Sequence, residues 1–245
     1  MKSTDYRNRF YRRWSALGDL RRCRIACEET DLYIRSDKAL DKEFLRERIS
    51  AYRRQIKAYA QKDPRFLSSL KPLAVERGAP LIVREMASAA GLCGVGPMAA
   101  VAGALAQFLG RDLLRRGLNE LIIENGGDIF MASKRIRTVA VYAGNNRRWQ
   151  SLRLKIKPQD TPLGICTSSG VVGHSLSFGR ADAAVVIARR AALADAAATA
   201  TANRVQGPQD AEKAVQFARS IRGISGAIVI IGHTFASWGR LEFRA

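Results

Sequence analysis

At Gly117 the hydrophobic pattern of the chain changes its period, and that switch narrows the fold more than any other feature. Upstream, residues 98–116 carry Ala and Leu at helical spacing, with Pro97 standing where a first helical residue would. Gly103 inside this helix costs about 1 kcal/mol in propensity, which suggests close packing there. Downstream come short β-prone runs at 118–124, 129–132, 137–143, 151–156, 163–167 and 182–188. Asn125-Gly126-Gly127-Asp128 is a turn signal between the first two. An Ala-rich helix at 193–204, a second helix at 210–221, a buried strand at 226–231 and a last hairpin or strand at 235–243 complete the chain. Helices, a run of strands, helices, then strand again predict an α+β fold, with a mixed, largely antiparallel sheet flanked by helices.

The first 80 residues are charge-dense. Residues 22–35 read as one or two strands at an antiparallel edge. Residues 40–59 read as a helix, with Phe44, Leu45, Ile49, Tyr52, Ile56 and Tyr59 at helical spacing. Pro64 opens a short helix that ends before Pro72, and residues 80–90 form another, interrupted from Gly91 onward. The organisation predicted is an N-terminal basic α/β segment, 1–79, packed on a core of 80–245, with an exposed sheet edge that could support a homodimer.

The formal net charge of +19 attracts anions such as nucleotides and phosphates. The charge is spread along the chain and no nucleic-acid signature accompanies it, so nucleic acid is not the expected partner. Cys23, Cys27, Cys93 and Cys166 form no C-x-x-C pair and read as reduced thiols. No apolar run reaches the ~20 residues of a membrane helix, and residues 1–14 lack an apolar secretory core. The expected location is cytoplasmic, with no membrane partner.

Four segments between Gly91 and Asn203 could carry chemistry. Gly91-Leu92-Cys93-Gly94-Val95-Gly96-Pro97 enters a helix and reads either as a phosphate-approaching turn or as a plain helix corner. Glu124-Asn125-Gly126-Gly127-Asp128 is a hairpin turn that also places an amide and two carboxylates beside exposed N–H groups. Thr167-Ser168-Ser169-Gly170, followed by Gly173-His174-Ser175, gathers hydroxyls and backbone donors after a strand, suiting phosphate or a flavin edge. A serine hydrolase would need a Gly-x-Ser-x-Gly elbow, which is absent. Asp195 and Thr199, spaced i, i+4, can present oxygens on one side of a helix, a donor set suited to Mg²⁺. Equally, Asp195 could complement its own helix dipole in a first turn.

In this order the segments Gly126-Gly127-Asp128, Thr167-Ser168-Ser169-Gly170 and Ala194-Asp195-Ala196-Ala197-Ala198-Thr199 resemble the ApbE family of flavin transferases, once described through thiamine biosynthesis. The fuller strings at 124–128, 166–170 and 173–182 are most similar to an uncharacterised cytosolic branch of it. The resemblance covers roughly residues 80–245. It implies binding of FAD and Mg²⁺ and transfer of FMN to a protein Thr or Ser. Carried over by motif, Asp195 and Thr199 would be metal ligands. Asn125, Gly126, Gly127, Thr167, Ser168, Ser169 and Gly170 would approach the flavin nucleotide, and His174 and Asp128 would be catalytic.

The chain departs from the family pattern in two places. Residues 173–182 replace the family's His-x-x-Asp-Pro-x-x-Gly stretch, and residues 94–98 stand where a Lys-Gly helix entry is usual. Two alternatives therefore stand beside a flavin transferase. One is a non-transferase accessory protein of sulfur or cofactor metabolism that binds an anionic ligand. The other is an RNA-binding basic protein.

Overall fold

The computed structural model describes residues 19–144, 147–149, 151–170 and 178–244. Two strands open it, β1 (Arg21–Cys27) and β2 (Thr30–Ser36), followed by helices α1 (Lys42–Lys62), α2 (Arg65–Ser68), α3 (Leu81–Cys93) and α4 (Val101–Arg115). The strand run comprises β3 (Leu121–Asn125), β4 (Asp128–Ala132), β5 (Arg137–Ala140), β6 (Arg153–Ile156), β7 (Leu163–Ser168) and β8 (Ala183–Ala188). Then come α5 (Ala191–Ala202), α6 (Ala211–Ser220), β9 (Ile224–Ile231), β10 (Thr234–Gly239) and β11 (Glu242–Arg244).

Eight strands form one sheet in the order β1-β2-β3-β4-β7-β8-β9-β10, and β11-β6-β5 form a second. Every neighbouring pair is antiparallel, as the α+β reading anticipates. Period-2 alternation gives the large sheet two buried faces. On β4, Phe130 joins the core beneath the helices, whereas Met131 joins the core beneath the small sheet. Helices cover one face and the three-stranded sheet covers the other.

Local chemistry sets the helix ends. The Asp41 carboxylate accepts the N–H groups of Glu43 and Phe44 at 2.9 and 3.2 Å, which caps α1. Helix α3 runs through Gly91 to Cys93 and stops where Gly94 turns left-handed at φ 71°. The predicted break at Gly91 is corrected accordingly. One exposed glycine weakens a helix by about 1 kcal/mol, which the burial of Ala89, Ala90 and Cys93 outweighs. A 3₁₀ turn, Pro97–Ala100, then leads into α4. No single helix among the described residues is long and apolar enough to cross a membrane.

Helix α5 decides where the other helices sit. All twelve of its residues are buried, and nine of them are Ala or Leu. Small side chains let it lie close to the sheet below and to α4 beside it. Two glycines complete that fit. A Cβ at Gly103 would stand 2.8 Å from the Asp195 Cβ and closer still to the Ala191 carbonyl oxygen. A Cβ at Gly164 would strike Ala191 itself. The close packing suggested by Gly103 is thus present, between α4 and α5.

Candidate functional site

The β3–β4 hairpin ends beside α5. Asn125 pairs with Asp128 across a two-residue turn, and Gly126 and Gly127 both have positive φ, 68° and 106°. That is the conformation a tight hairpin of native twist needs and that side chains with a Cβ resist. The Gly127 N–H donates to the Glu124 carboxylate at 2.9 Å. Asn125 and Asp128 share the helix-side face with Ile123 and Phe130. The Asn125 side-chain amide accordingly donates to the Ala102 carbonyl of α4 at 3.2 Å.

Strand β7 supplies the neighbouring wall. Its helix-side residues are Gly164, Cys166 and Ser168, and Thr167 points to the other face. The Cys166 thiol donates to the Ala191 carbonyl at 3.4 Å and also reaches Asp128. Thr167 contributes its backbone N–H to the Asp128 carboxylate. The Ser168 hydroxyl is buried and has no hydrogen-bond partner.

From α5 the Asp195 carboxylate meets α4 end-on, accepting the Gly103 N–H at 2.8 Å and interacting with the Ala102 N–H. Asp195 therefore caps the N-terminus of α4. It is the fifth residue of α5 rather than a member of its first turn, so the expected dipole role in its own helix is replaced by one in the neighbouring helix. The same contact fills the N-terminus that the Gly91–Pro97 segment leads into, making that segment a packed helix corner. Gly96 fits this reading, because a Cβ there would run into the Ser69 carbonyl.

Asp128, Asp195 and Thr199 are only 7, 8 and 7 % exposed. Burial pushes the Asp128 carboxyl up to about 7; hydrogen bonds from Cys166 and Thr167 oppose the rise, and the nearby Glu124 charge adds to it. Burial likewise pushes Asp195 well above the usual carboxylate range, and the Asp128 charge pushes it further. Burial, then Asp128 and Asp195, hold the Cys166 thiol protonated.

Asn125, Gly126, Gly127, Asp128, Ser168, Asp195 and Thr199 thus lie on adjoining elements, the β3–β4 hairpin, β7 and α5. The structure separates Thr167, whose hydroxyl faces away. Ser169 and Gly170 turn toward the returning chain, where the Ser169 hydroxyl and the Gly170 N–H both donate to the Ala181 carbonyl, at 3.4 and 2.9 Å. His174 lies outside the described residues. Sequence reasoning did not place Cys166 in the site, nor the Ala102 and Gly103 amides. The alternation of Cys166 with Ser168 was the available signal for the first; nothing local signals the second. Among the described residues no group of three or more His, Cys, Asp or Glu is arranged to hold a metal ion, so a cation here would rely on hydroxyl and carbonyl oxygens as well as carboxylates.

The sequence of residues 12–234 matches the family described as AbpE bacteria. The chain belongs to the ApbE-like family. It is 38 % identical over 214 residues to a UPF0280 protein of Methanosarcina acetivorans, covering 87 % of this chain and 84 % of that one. It is 42 % identical over 189 residues to a UPF0280 protein of Methanocella arvoryzae, covering 77 % of each. Among solved structures, the apo flavinyl transferase ApbE of Pseudomonas stutzeri superposes with a TM-score of 0.60 at 16 % identity, over 89 % of this chain and 93 % of that one. The flavin transferase ApbE of Vibrio cholerae gives 0.58 at 14 % identity, over 89 and 97 %. At such identities the likeness is one of fold.

Proposed function

We propose that this ApbE-like chain binds a flavin nucleotide, FAD, together with Mg²⁺, and transfers the FMN portion to a hydroxyl of an acceptor protein. One observation carries the reading: from motifs spread over 73 positions, Gly126 to Thr199, Asp128, Ser168, Asp195 and Thr199 come as buried oxygen-bearing side chains on the adjoining elements β4, β7 and α5. The Asp195 and Thr199 oxygens suit a hard divalent cation. One Asp195 oxygen accepts the Gly103 N–H, and a carboxylate has about four acceptor positions, so capacity remains. A bound Mg²⁺ would polarise a pyrophosphate and offset its charge.

The residues of the chain have separate parts in this reading. Gly126 and Gly127 leave room for a ligand to approach the turn backbone. Asn125, held by Ala102, fixes that turn against α4. Ser168 offers an unused hydroxyl. His174 is proposed, from its motif alone, as the proton acceptor for the incoming hydroxyl. The surplus of basic residues over the whole chain favours arrival of an anionic nucleotide.

Titration with FAD, with and without Mg²⁺, tests this through flavin fluorescence and AMP release. Mg²⁺-dependent binding with AMP release is expected. Absence of flavin binding at high micromolar FAD would sink the proposal. A second reading, flavin binding without transfer, is favoured by the loss of the Asp-Pro element from 173–182. It is distinguished by Mg²⁺-dependent binding that releases no AMP in the presence of any acceptor.

A further inference from the structure

A cavity of about 610 Å³ opens into the core between the two sheets. Its apolar wall consists of residues of that core: Leu154 and Ile156 of β6, Leu163 of β7, Ile187 of β8, and Leu241. Two connections between the sheets frame it. The β6–β7 connection contributes Asp160, and the β10–β11 connection contributes Arg240 and Leu241. Strand β10 ends at Gly239, whose φ of 111° and missing Cβ let the chain pass against the Ser225 carbonyl as it leaves the large sheet. The volume lies in the range of small-molecule sites, ~300–1,000 Å³.

Charge at the cavity supplies a second, independent sign. Arg189, which follows β8, and Arg240 both line it and are both exposed. Among the described residues no acid pairs with either. The acids at the cavity are Asp160 and Glu242, and Glu242 is already held by Lys155 at 3.1 Å and by Lys157. Basic groups therefore exceed acids beside an apolar wall. An apolar ring or branched chain would be covered by the leucine and isoleucine side chains. An oxyanion would meet the guanidinium groups, whose planar forks match carboxylate and phosphate.

We propose that this cavity is a second binding site, for a small organic anion whose apolar body lies against Leu163 and Ile187 and whose oxyanion headgroup is held by Arg189 and Arg240. It is separate from the proposed flavin site and does not depend on that reading. Leu163 opens β7 and Ser168 closes it, which at ~3.3 Å per residue puts them about 16 Å apart. The faces differ as well. Leu163 and Ile187 belong to the core beneath the small sheet, whereas Cys166 belongs to the core beneath the helices.

The test is titration of the full chain with anilinonaphthalene sulfonate, an aromatic anion that fluoresces when its rings leave water. A single saturable site is expected, with affinity reduced roughly tenfold or more at low salt in the Arg189→Gln, Arg240→Gln double variant. Phenylnaphthylamine, which carries the same rings without the charge, should bind wild type and double variant equally. Ser225→Tyr, which fills the cavity from an exposed position on β9, should weaken both probes. Naphthoate and naphthyl phosphate should displace the sulfonate, and whichever does so at the lower concentration names the headgroup as carboxylate or phosphate. Displacement by neither would overturn the proposal, as would an affinity for the sulfonate that the double variant leaves unchanged. FAD with Mg²⁺ should leave the probe in place; its competitive displacement by FAD would merge the cavity with the flavin site and overturn the claim of a second one.

Discussion

The four cysteines show how strongly placement governs a side chain whose type never changes. Cys93 and Cys166 are buried, while Cys23 and Cys27 on the edge strand β1 are partly open. Burial pushes the Cys93 thiol up to about 12 and raises Cys166 well above its ordinary value. The thiolate is the reactive form, so neither buried thiol reacts at pH 8 in the folded protein. Ellman's reagent should titrate Cys23 and Cys27 first and reach the other two only in denaturant. Rapid labelling of Cys166 under native conditions would contradict the buried site. Asp195 is a second residue-scale case, because it comes from α5 yet caps α4. Asp195→Ala should lose about 1–2 kcal/mol of stability through the cap, measured in urea, and, if the proposed function holds, Mg²⁺-dependent FAD binding with it. Thr199→Ala, which removes no cap, should change the midpoint little while, if the proposed function holds, weakening Mg²⁺-dependent FAD binding.

At the scale of elements, the site depends on how closely α4 and α5 approach. Gly103 is the contact point, and the atoms a Cβ would meet are largely backbone, which cannot swing aside. Gly103→Ala would improve intrinsic helix propensity by about 1 kcal/mol in isolation. In this fold the sign reverses: the two helices must separate, at a cost of roughly 1–3 kcal/mol. The urea midpoint of Gly103→Ala should therefore fall, and the Gly103 N–H to Asp195 bond should lengthen with it. A rise in midpoint would show that the helices are less tightly apposed than the structure has them. The hairpin turn obeys the same logic in reverse, since Gly126 and Gly127 are fixed by backbone conformation rather than by neighbours.

At the scale of the whole molecule, Arg137 clips the small sheet to the large one. From β5 its guanidinium donates to Glu120 at 2.6 Å and to Asp19 at 2.7 Å, and it is 5 % exposed. Burial alone would raise the Glu120 carboxyl, but hydrogen bonds from Arg137, Ser133 and the Lys134 amide outweigh it and leave it below its ordinary 4.5. Arg137 likewise holds Asp19 below its ordinary 3.8. A carboxylate whose folded value is depressed binds fewer protons folded than unfolded. Its stabilisation is complete above the unfolded value and is lost as pH falls through the lower folded one. Stability should thus be flat above about pH 5 from these two groups and decline below about pH 4.5. Arg137→Met should destabilise the chain by roughly 3–5 kcal/mol at neutral pH, because Glu120 is left buried and unpaired. In that variant acidification to pH 4 should recover part of the loss, whereas in the wild type it should only destabilise.

Much of this was legible from the chain alone. Hydrophobic period, turn residues and caps are local, so the helices, the strand run and the Gly126-Gly127 hairpin could be read within a few residues, and the ordered motifs pointed to the family. Boundaries such as that of α3 were less legible, because burial of Ala89, Ala90 and Cys93 carries a helix through Gly91. The separation of β5, β6 and β11 into their own sheet was not legible either, since strand partners are chosen by contacts distant in sequence. The same holds for the site. The sequence by itself determined which oxygen-bearing residues were present and, through period-2 alternation, that Cys166 and Ser168 share a face opposite Thr167. Only the tertiary structure decided that Asp195 meets the end of α4 and stands against Asp128, and that Ser169 turns away toward Ala181. Those outcomes depend on the approach of backbones separated by tens of residues, where small side chains permit contact but do not specify it.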